Sequence, residues 1–275
     1  SRGTDEEGSP GNEAECELIF FDDNKNQNFV SNCWRRGSIP MMWKTIVGAV
    51  GSGQHIISQE QGNVTSLYFH SISERFENIP ITVISLLNDS ETELNESYKM
   101  AVKPLDFVSF QSFDIQSVPE NARIEQFRLF MKPFVNNDLC FTVGDKNGIQ
   151  KSQKMIFRFN CVDSTDRTNL ATFVYGRILT EMKIGPLPSD PKESINDFLA
   201  NAFVVGGDVI SLLYTSTEAT LTKPISDTTE NISQAKHDTS LACIRRVKHI
   251  YGNDAFSDKV IESWIEKSGI LNSNP

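Results

Sequence analysis

Strands that alternate with helices, one apolar run bounded by turn residues, and one strand that breaks into a polar loop before restarting as a helix predict an α/β protein. Its expected architecture is a central mixed sheet flanked by helices, with a mainly helical C-terminal part. The apolar run is Ile81 to Leu87, introduced by Pro80; it is nearly continuous, as expected of a central strand covered on both faces. The broken strand lies in Met155 to Met182, MIFRFNCVDSTDRTNLATFVYGRILTEM. Met155, Ile156, Phe157 and Phe159 form a short strand-like run, and from Leu170 the period turns helical, with Leu170, Phe173, Val174, Ile178 and Met182 on one face. Ligands of layered α/β proteins bind beyond the carboxyl ends of the strands, so the loop opening at Cys161 is where chemistry is expected.

The remaining elements follow in order. Residues 1 to 30 are polar and acidic and predict an irregular entry with one short strand, Leu18 to Phe21, before the turn residues DDNKNQN. Gly48 to Gly53 (GAVGSG) lacks both the G-x-G-x-x-G spacing and the lysine-serine pair of a nucleotide loop. Glu91 to Val102 reads as a helix, Leu105 to Ile115 alternates like a strand, and Glu120 to Phe134 is again helical. Leu139 to Val143 and Ile149 to Phe159 flank Gly-Asp-Lys-Asn-Gly, which predicts a hairpin delivering its second strand into the Cys161 loop. Beyond Gly185 and three prolines, helices are expected at Ile195 to Val205, Asp208 to Tyr214, Leu241 to Tyr251 and Phe256 to Lys267, with a polar connection over Thr217 to Lys236.

At 275 residues and 39% apolar composition the chain can bury one substantial core or two small ones. No apolar run approaches the roughly 18 residues of a membrane span, and a soluble segment is expected. A net charge of −10 argues against a nucleic-acid partner and against a polybasic membrane patch. Attraction to an anionic bilayer then has to come from a local rim, for which Arg35, Arg36, Lys44, Lys151, Lys154 and the Arg245, Arg246, Lys248 cluster are candidates. Five cysteines without regular spacing indicate a reducing compartment, with Cys16, Cys33, Cys140 and Cys243 structural. In that setting the Asn-x-Ser/Thr triplets at Asn63, Asn88, Asn95 and Asn231 are inert. His55, His70, His237 and His249 have no metal-ligand spacing and no G-x-S-x-G elbow occurs, so neither metal nor cofactor is expected.

Cys161 to Asn169 is nearly all polar, and Thr165 or Asp166 is placed to cap the helix that follows. A loop between a strand end and a helix start gathers backbone N–H groups and the positive end of the helix dipole, a setting that binds phosphate. Cys161 and Arg167 enclose five residues, so the thiol can serve as nucleophile while the planar guanidinium holds two phosphoryl oxygens. The helix terminus and the guanidinium are expected to favour the thiolate, and the Thr168 hydroxyl to hydrogen-bond the sulfur. Asp163 and Asp166 are both candidates for protonating the leaving alcohol and then activating water. Cys-x5-Arg alone is a weak match; a buried structural cysteine with Arg167 in an ion pair is the competing reading.

FRFNCVDSTDRTN resembles the R-x-N-C-x-D-C-L-D-R-T-N signature of the Sac-domain phosphoinositide phosphatases, matching at Arg158, Asn160, Cys161, Asp163, Asp166, Arg167, Thr168 and Asn169. Ser164 and Thr165 stand where that family usually has cysteine and leucine. Three further stretches resemble family motifs in the same order: Arg2 to Gly8 with Glu13 to Glu17, Arg36 to Pro40 with Trp43, and Gly207 to Ser211 with Tyr214 to Ala219. The resemblance implies a cysteine-based phosphatase-like catalytic subdomain within residues 1–275. A smaller β-rich N-terminal Sac subdomain, which precedes this point in the family, is expected to lie outside the chain.

It also implies hydrolysis of a phosphomonoester on the inositol ring of a membrane phosphoinositide through a phosphocysteine. Cys161, Arg167, Asp163 and Asp166 are the expected catalytic residues; Asn160, Val162, Ser164, Thr165, Thr168 and Arg36 are expected to bind substrate. Peripheral contact with the cytosolic face of a membrane follows. The alternative is a catalytically silent Sac-like module that binds headgroups or scaffolds a partner. A protein-tyrosine phosphatase fits less well, because its usual loop glycines are lacking between Cys161 and Arg167.

Overall fold

A computed structural model of the chain describes residues 3–5, 8–22, 27–46, 54–58, 63–185, 194–215, 217–221 and 225. In chain order these form β1 (Ala14–Phe21), β2 (Phe29–Arg36), β3 (Trp43–Ile46), β4 (Gln54–Ile57), α1 (Val64–Arg75), β5 (Ile81–Ser85), α2 (Thr92–Val102), β6 (Val108–Ser112) and α3 (Arg123–Met131). There follow α4 (Asn137–Cys140), β7 (Thr142–Asp145), β8 (Gly148–Lys151), β9 (Ile156–Asn160), α5 (Asp166–Ile184) and α6 (Ser194–Thr215).

Seven strands make one mixed sheet in the order β6-β5-β9-β2-β7-β8, with β1 antiparallel along the other edge of β2; β3 and β4 form a separate hairpin. At the centre, every residue of β5 (ITVIS) and β9 (IFRFN) is buried, which is why both read as apolar runs without a solvent face. β6, β5, β9 and β2 run parallel, so their carboxyl ends at Ser112, Ser85, Asn160 and Arg36 lie along one edge of the sheet. The period of two along β9 divides the core. Phe157, Phe159 and Cys161 join a cluster with Trp34, Phe127, Leu170 and Tyr175, while Ile156 joins Ile39, Phe69, Val83 and Tyr98 in a second.

Arg158 lies between these apolar neighbours with no exposed surface. Its guanidinium donates to Glu13 Oε2 at 3.0 Å, the Ser38 carbonyl at 2.6 Å, Asn160 Oδ1 at 3.3 Å and the Tyr68 hydroxyl. Tyr68 Oη and Arg35 Nε in turn donate to Glu13 Oε1 at 2.6 and 2.8 Å. Burial opposes the Arg158 charge, yet Tyr68 and Glu13 hold its pKa above the ordinary arginine value. Gly37 is obligatory beside this network, since a Cβ there would lie 1.9 Å from Glu13 Oε2 and 2.8 Å from Arg158 Nη2.

The predicted central strand, the helix at 91–102 and the strand and helix that follow it are all present, with shorter bounds for the last two. The expected hairpin differs. β7 and β8 pair around the Asp145–Gly148 turn, but β8 stops at Lys151 and a separate strand, β9, crosses to the sheet centre and delivers the loop. The elements not anticipated include β2, the β3–β4 hairpin and α1. β2 carries Ser31, Asn32 and Arg36, whose burial is possible because partners far along the chain bond them, as the Cys140 carbonyl does for Asn32. The helix α1 follows a polar segment without a side-chain cap.

The two helices expected at 195–205 and 208–214 are one helix, α6, continuous through Gly206 and Gly207. By length and hydropathy Ile195–Thr215 qualifies as a membrane span, but one side of α6 packs on α5, and Asn169 Nδ2 donates to its Phe203 carbonyl at 2.8 Å. α5 ends at Gly185, whose φ of +91° is the left-handed region that favours glycine. The glycine stretch 48–53, the segments 241–251 and 256–267, most of the connection 217–236 and the basic residues 245, 246 and 248 lie outside the described residues.

Two stability predictions follow from the buried network. Glu13→Ala leaves the Arg158 charge uncompensated and is expected to cost about 3 kcal/mol in urea unfolding, while the exposed Glu17→Ala stays within about 0.5 kcal/mol. Gly37→Ala, which displaces the Glu13 carboxylate, is expected to destabilise the fold by about 2 kcal/mol or more.

Candidate active site

Cys161 follows directly on β9, and Asp166 opens α5, so the polar loop occupies the carboxyl edge of the parallel strands. Thr168, in the first turn of α5, donates its hydroxyl to Cys161 Sγ at 3.2 Å. Asp163 stands on the other side: its Oδ1 is 3.4 Å from the sulfur and also accepts from Thr165 N at 3.2 Å and Thr165 Oγ1 at 2.8 Å. Thr165 is the residue before the helix, but its hydroxyl is turned to Asp163 rather than capping, and Asp166 is the first helical residue.

Arg36 shapes the loop from behind. Only 3% exposed, it donates to the Ser164 carbonyl at 2.6 Å, the Thr165 carbonyl at 3.2 Å, Asn169 Oδ1 at 3.0 Å and Ser164 Oγ at 3.4 Å. Arg36, expected to bind substrate, has these donors engaged by the loop. It also offsets the cost of the Ser164 backbone, which adopts φ +58°, a conformation that disfavours a residue with a Cβ by about 1 kcal/mol or more. Ser38 Oγ and Asn12 Nδ2 hold the carbonyls of Val162 and Asp163, both at 2.7 Å. Val162 packs its side chain into the second core cluster, and Asn160 is fully buried, its amide nitrogen without a partner among the described residues.

Arg167 is 9% exposed and meets a residue that sequence reasoning did not single out. Its Nη1 lies 2.6 Å from Glu91 Oε2 and 3.1 Å from the Leu86 carbonyl, and its Nη2 lies 2.9 Å from Glu91 Oε1. A buried carboxylate just beyond a central strand was the available signal, hidden because Glu91 also suits a helix start. Burial opposes the charge on Arg167, but Cys161 and Glu91 raise its pKa above the arginine norm.

The Cys161 thiol differs from expectation. With 1% exposure, burial pushes its pKa up, and the Asp163 charge pushes in the same direction. Arg167, the Thr168 hydroxyl and the Asp163 backbone pull it down but do not prevail. The four described cysteines, Cys16, Cys33, Cys140 and Cys161, are all free.

A cavity of about 230 Å³ is lined by Gln116, Asp163, Thr165, Asp166, Arg167, Thr220 and Leu221. Asp163 both contacts the sulfur and borders this space, whereas Cys161 itself is not among the lining residues. Asp166 Oδ1 accepts from Thr220 N at 2.6 Å, and Asp208 Oδ1 accepts from Ala219 N at 2.8 Å. Asp208, where a second helix was expected to start, thus lies inside α6 and holds the segment that borders the cavity. Of the expected rim residues, Arg35 pairs with Glu13 and Glu15, and Lys151 lies 3.4 Å from Asp138. His55 contacts Thr45 and His70 contacts Ser66, both away from the loop.

Comparison with known proteins adds relatives to this geometry. A family model described as the SacI homology domain matches residues 1–119, ending before the Cys161 loop. Phosphoinositide phosphatase SAC6 of Arabidopsis thaliana is 25% identical over 232 residues, covering 79% of this chain and 39% of that protein. Synaptojanin-1 of Rattus norvegicus is 26% identical over 234 residues, covering 79% of this chain and 14% of its own length. Inositol-1,4,5-trisphosphate 5-phosphatase 1 of Schizosaccharomyces pombe is 27% identical over 282 residues, or 97% of this chain and 25% of that protein. The chain thus spans well under half the length of these relatives. The motif resemblance and these matches agree: residues 1–119 match the SacI homology domain model, and the chain is similar to Sac phosphoinositide phosphatases and synaptojanin.

Proposed function

We propose that the chain is a phosphoinositide phosphatase that hydrolyses a phosphomonoester on the inositol ring through a phosphocysteine intermediate. The observation that carries the reading is the convergence on one loop of a cysteine sulfur, a hydroxyl 3.2 Å from it, a carboxylate 3.4 Å from it and a buried arginine lining the adjacent cavity. The names of the relatives support the substrate class.

In the proposed reaction the thiol proton passes to Asp163, giving thiolate and neutral acid side by side. This transfer moves the negative charge from Asp163 onto the sulfur that attacks, and it accommodates the raised thiol pKa of the free protein. The sulfur attacks phosphorus in line, forming a P–S bond as the bond to the inositol oxygen breaks. Asp163 returns its proton to that oxygen. Arg167 and the first-turn N–H groups of α5 hold the three equatorial oxygens, and Thr168 stabilises the sulfur. Water then attacks phosphorus, its proton is taken by Asp163, and the P–S bond breaks to release inorganic phosphate and thiolate. Asp166, bonded to Thr220 N, shapes the cavity wall in this scheme. The working location proposed is the cytosolic face of a membrane, which suits the free cysteines.

The 1% exposure of Cys161 favours a second reading, a silent module that binds headgroups without turnover. Phosphate release from short-chain phosphoinositides separates the two. Selective release is expected from the unsubstituted chain, loss to background in Cys161→Ser, and a fall of at least about 100-fold in Arg167→Lys, which cannot form the planar fork. Folded protein that binds the lipids and releases no phosphate would establish the silent module.

The carboxylate beside the sulfur gives a second test. Asp163→Asn removes a charge that raises the thiol pKa, so the pH midpoint for iodoacetamide alkylation of Cys161 is expected to fall while phosphate release also falls. An unchanged or higher midpoint, read by mass spectrometry of the Cys161 peptide, would remove Asp163 from the proposed proton path.

A further inference from the structure

Resting on the phosphatase reading above, we infer that Glu91 is a positioning residue that presents one chosen edge of the Arg167 guanidinium to the substrate phosphate. A guanidinium has five N–H groups in one plane. Nη1 sends its two to Glu91 Oε2 at 2.6 Å and the Leu86 carbonyl at 3.1 Å, and Nη2 sends one to Glu91 Oε1 at 2.9 Å. The end-on fork is therefore filled. Among the described residues no acceptor takes the Nε–H or the second Nη2–H, which are parallel and lie on the same side of the group. That pair is a complete bidentate site for two phosphoryl oxygens.

Both acceptors of these three N–H groups are themselves fixed. Leu86 N donates to the Asn160 carbonyl at 2.8 Å, so the residue whose carbonyl accepts from Arg167 is tied to the residue preceding Cys161. Glu91 Oε2 also accepts from Asn88 N at 2.9 Å in the turn that starts α2, and Glu91 is only 8% exposed. Arg167 borders the cavity, while Glu91 is not among its lining residues. The carboxylate thus acts from behind. It has a further effect on charge: Asp163 and Asp166 line the same cavity as Arg167 and would otherwise compete for its guanidinium. With its end-on fork engaged by Glu91, that edge of Arg167 is closed to those aspartates.

The test uses the full chain with two readouts: kinetics on a short-chain phosphoinositide, and binding of inorganic phosphate to a Cys161→Ser background followed by phosphorus NMR. Glu91→Gln keeps an oxygen for Asn88 N but loses the charge-assisted fork. It is expected to weaken phosphate binding and lower kcat/KM by roughly 10- to 100-fold, chiefly through KM. Glu91→Asp should recover part of that loss. Thr92→Ala, which removes a hydroxyl contact at the start of α2 without touching Arg167, controls for a role confined to the helix start. It should lower Tm and leave kcat/KM within about twofold.

Wild-type-like binding and kinetics in folded Glu91→Gln would overturn the assignment, as would an equal loss in Thr92→Ala at equal Tm. If the unsubstituted chain releases no phosphate but inorganic phosphate binding still depends on Glu91, the phosphatase reading fails and the positioning role stands. If inorganic phosphate does not bind at all, the role of Glu91 fails with it.

Discussion

Three guanidinium groups, those of Arg36, Arg158 and Arg167, are buried around one loop, and the loop takes the shape that satisfies their N–H groups. Removing a permanent positive charge from water costs several kcal/mol unless acceptors surround it. Each of the three solves that problem with a different set. Arg158 uses the Glu13 carboxylate, Arg36 uses loop carbonyls, and Arg167 uses Glu91 and a strand-end carbonyl. The carbonyls of Val162, Asp163, Ser164 and Thr165 are all held from outside the loop, so the backbone is set before any ligand arrives. A preset loop loses little conformational freedom on binding, which is the property a phosphate cradle needs.

The parallel centre of the sheet is what lets these groups meet. Because β6, β5, β9 and β2 share a direction, the segments leaving them arrive at one edge, carrying Gln116, Glu91, Cys161 and Ser38 respectively. The two core clusters on opposite faces of β9 then fix its depth, and α5, buried through most of its length, fixes where the helix start points. Turning the buried edge of a sheet into a polar site requires partners for every donor there. The Arg36 and Arg158 networks supply them.

Much of this was legible in the sequence. The run from Ile81 and the change of period at Leu170 report burial directly, and Cys161, Arg167 and Thr168 show themselves through spacing within one loop. What stayed hidden depends on distant partners. β2 looks too polar for an inner strand until Cys140, Gln153 and the Arg36 acceptors are seen around it. Glu91 reads as an ordinary helix-start residue, because nothing local reveals that residue 167 lies against it. The acceptors around Arg36 were hidden for the same reason, and the thiol pKa depended on a depth of burial that spacing does not encode.

The hydrogen bonds that shape the loop join residues very far apart in the chain: Asn12 to Asp163 across 151 positions, Arg36 to Ser164 across 128, Ser38 to Val162 across 124. Closing loops of that length is entropically slow, and it precedes any reward from the contacts themselves. The first strands must therefore wait, during synthesis, for β9 to emerge before the centre of the sheet exists. The Cys161 loop is consequently a late product of folding, and its formation reports that the whole chain from residue 12 to α5 has come together.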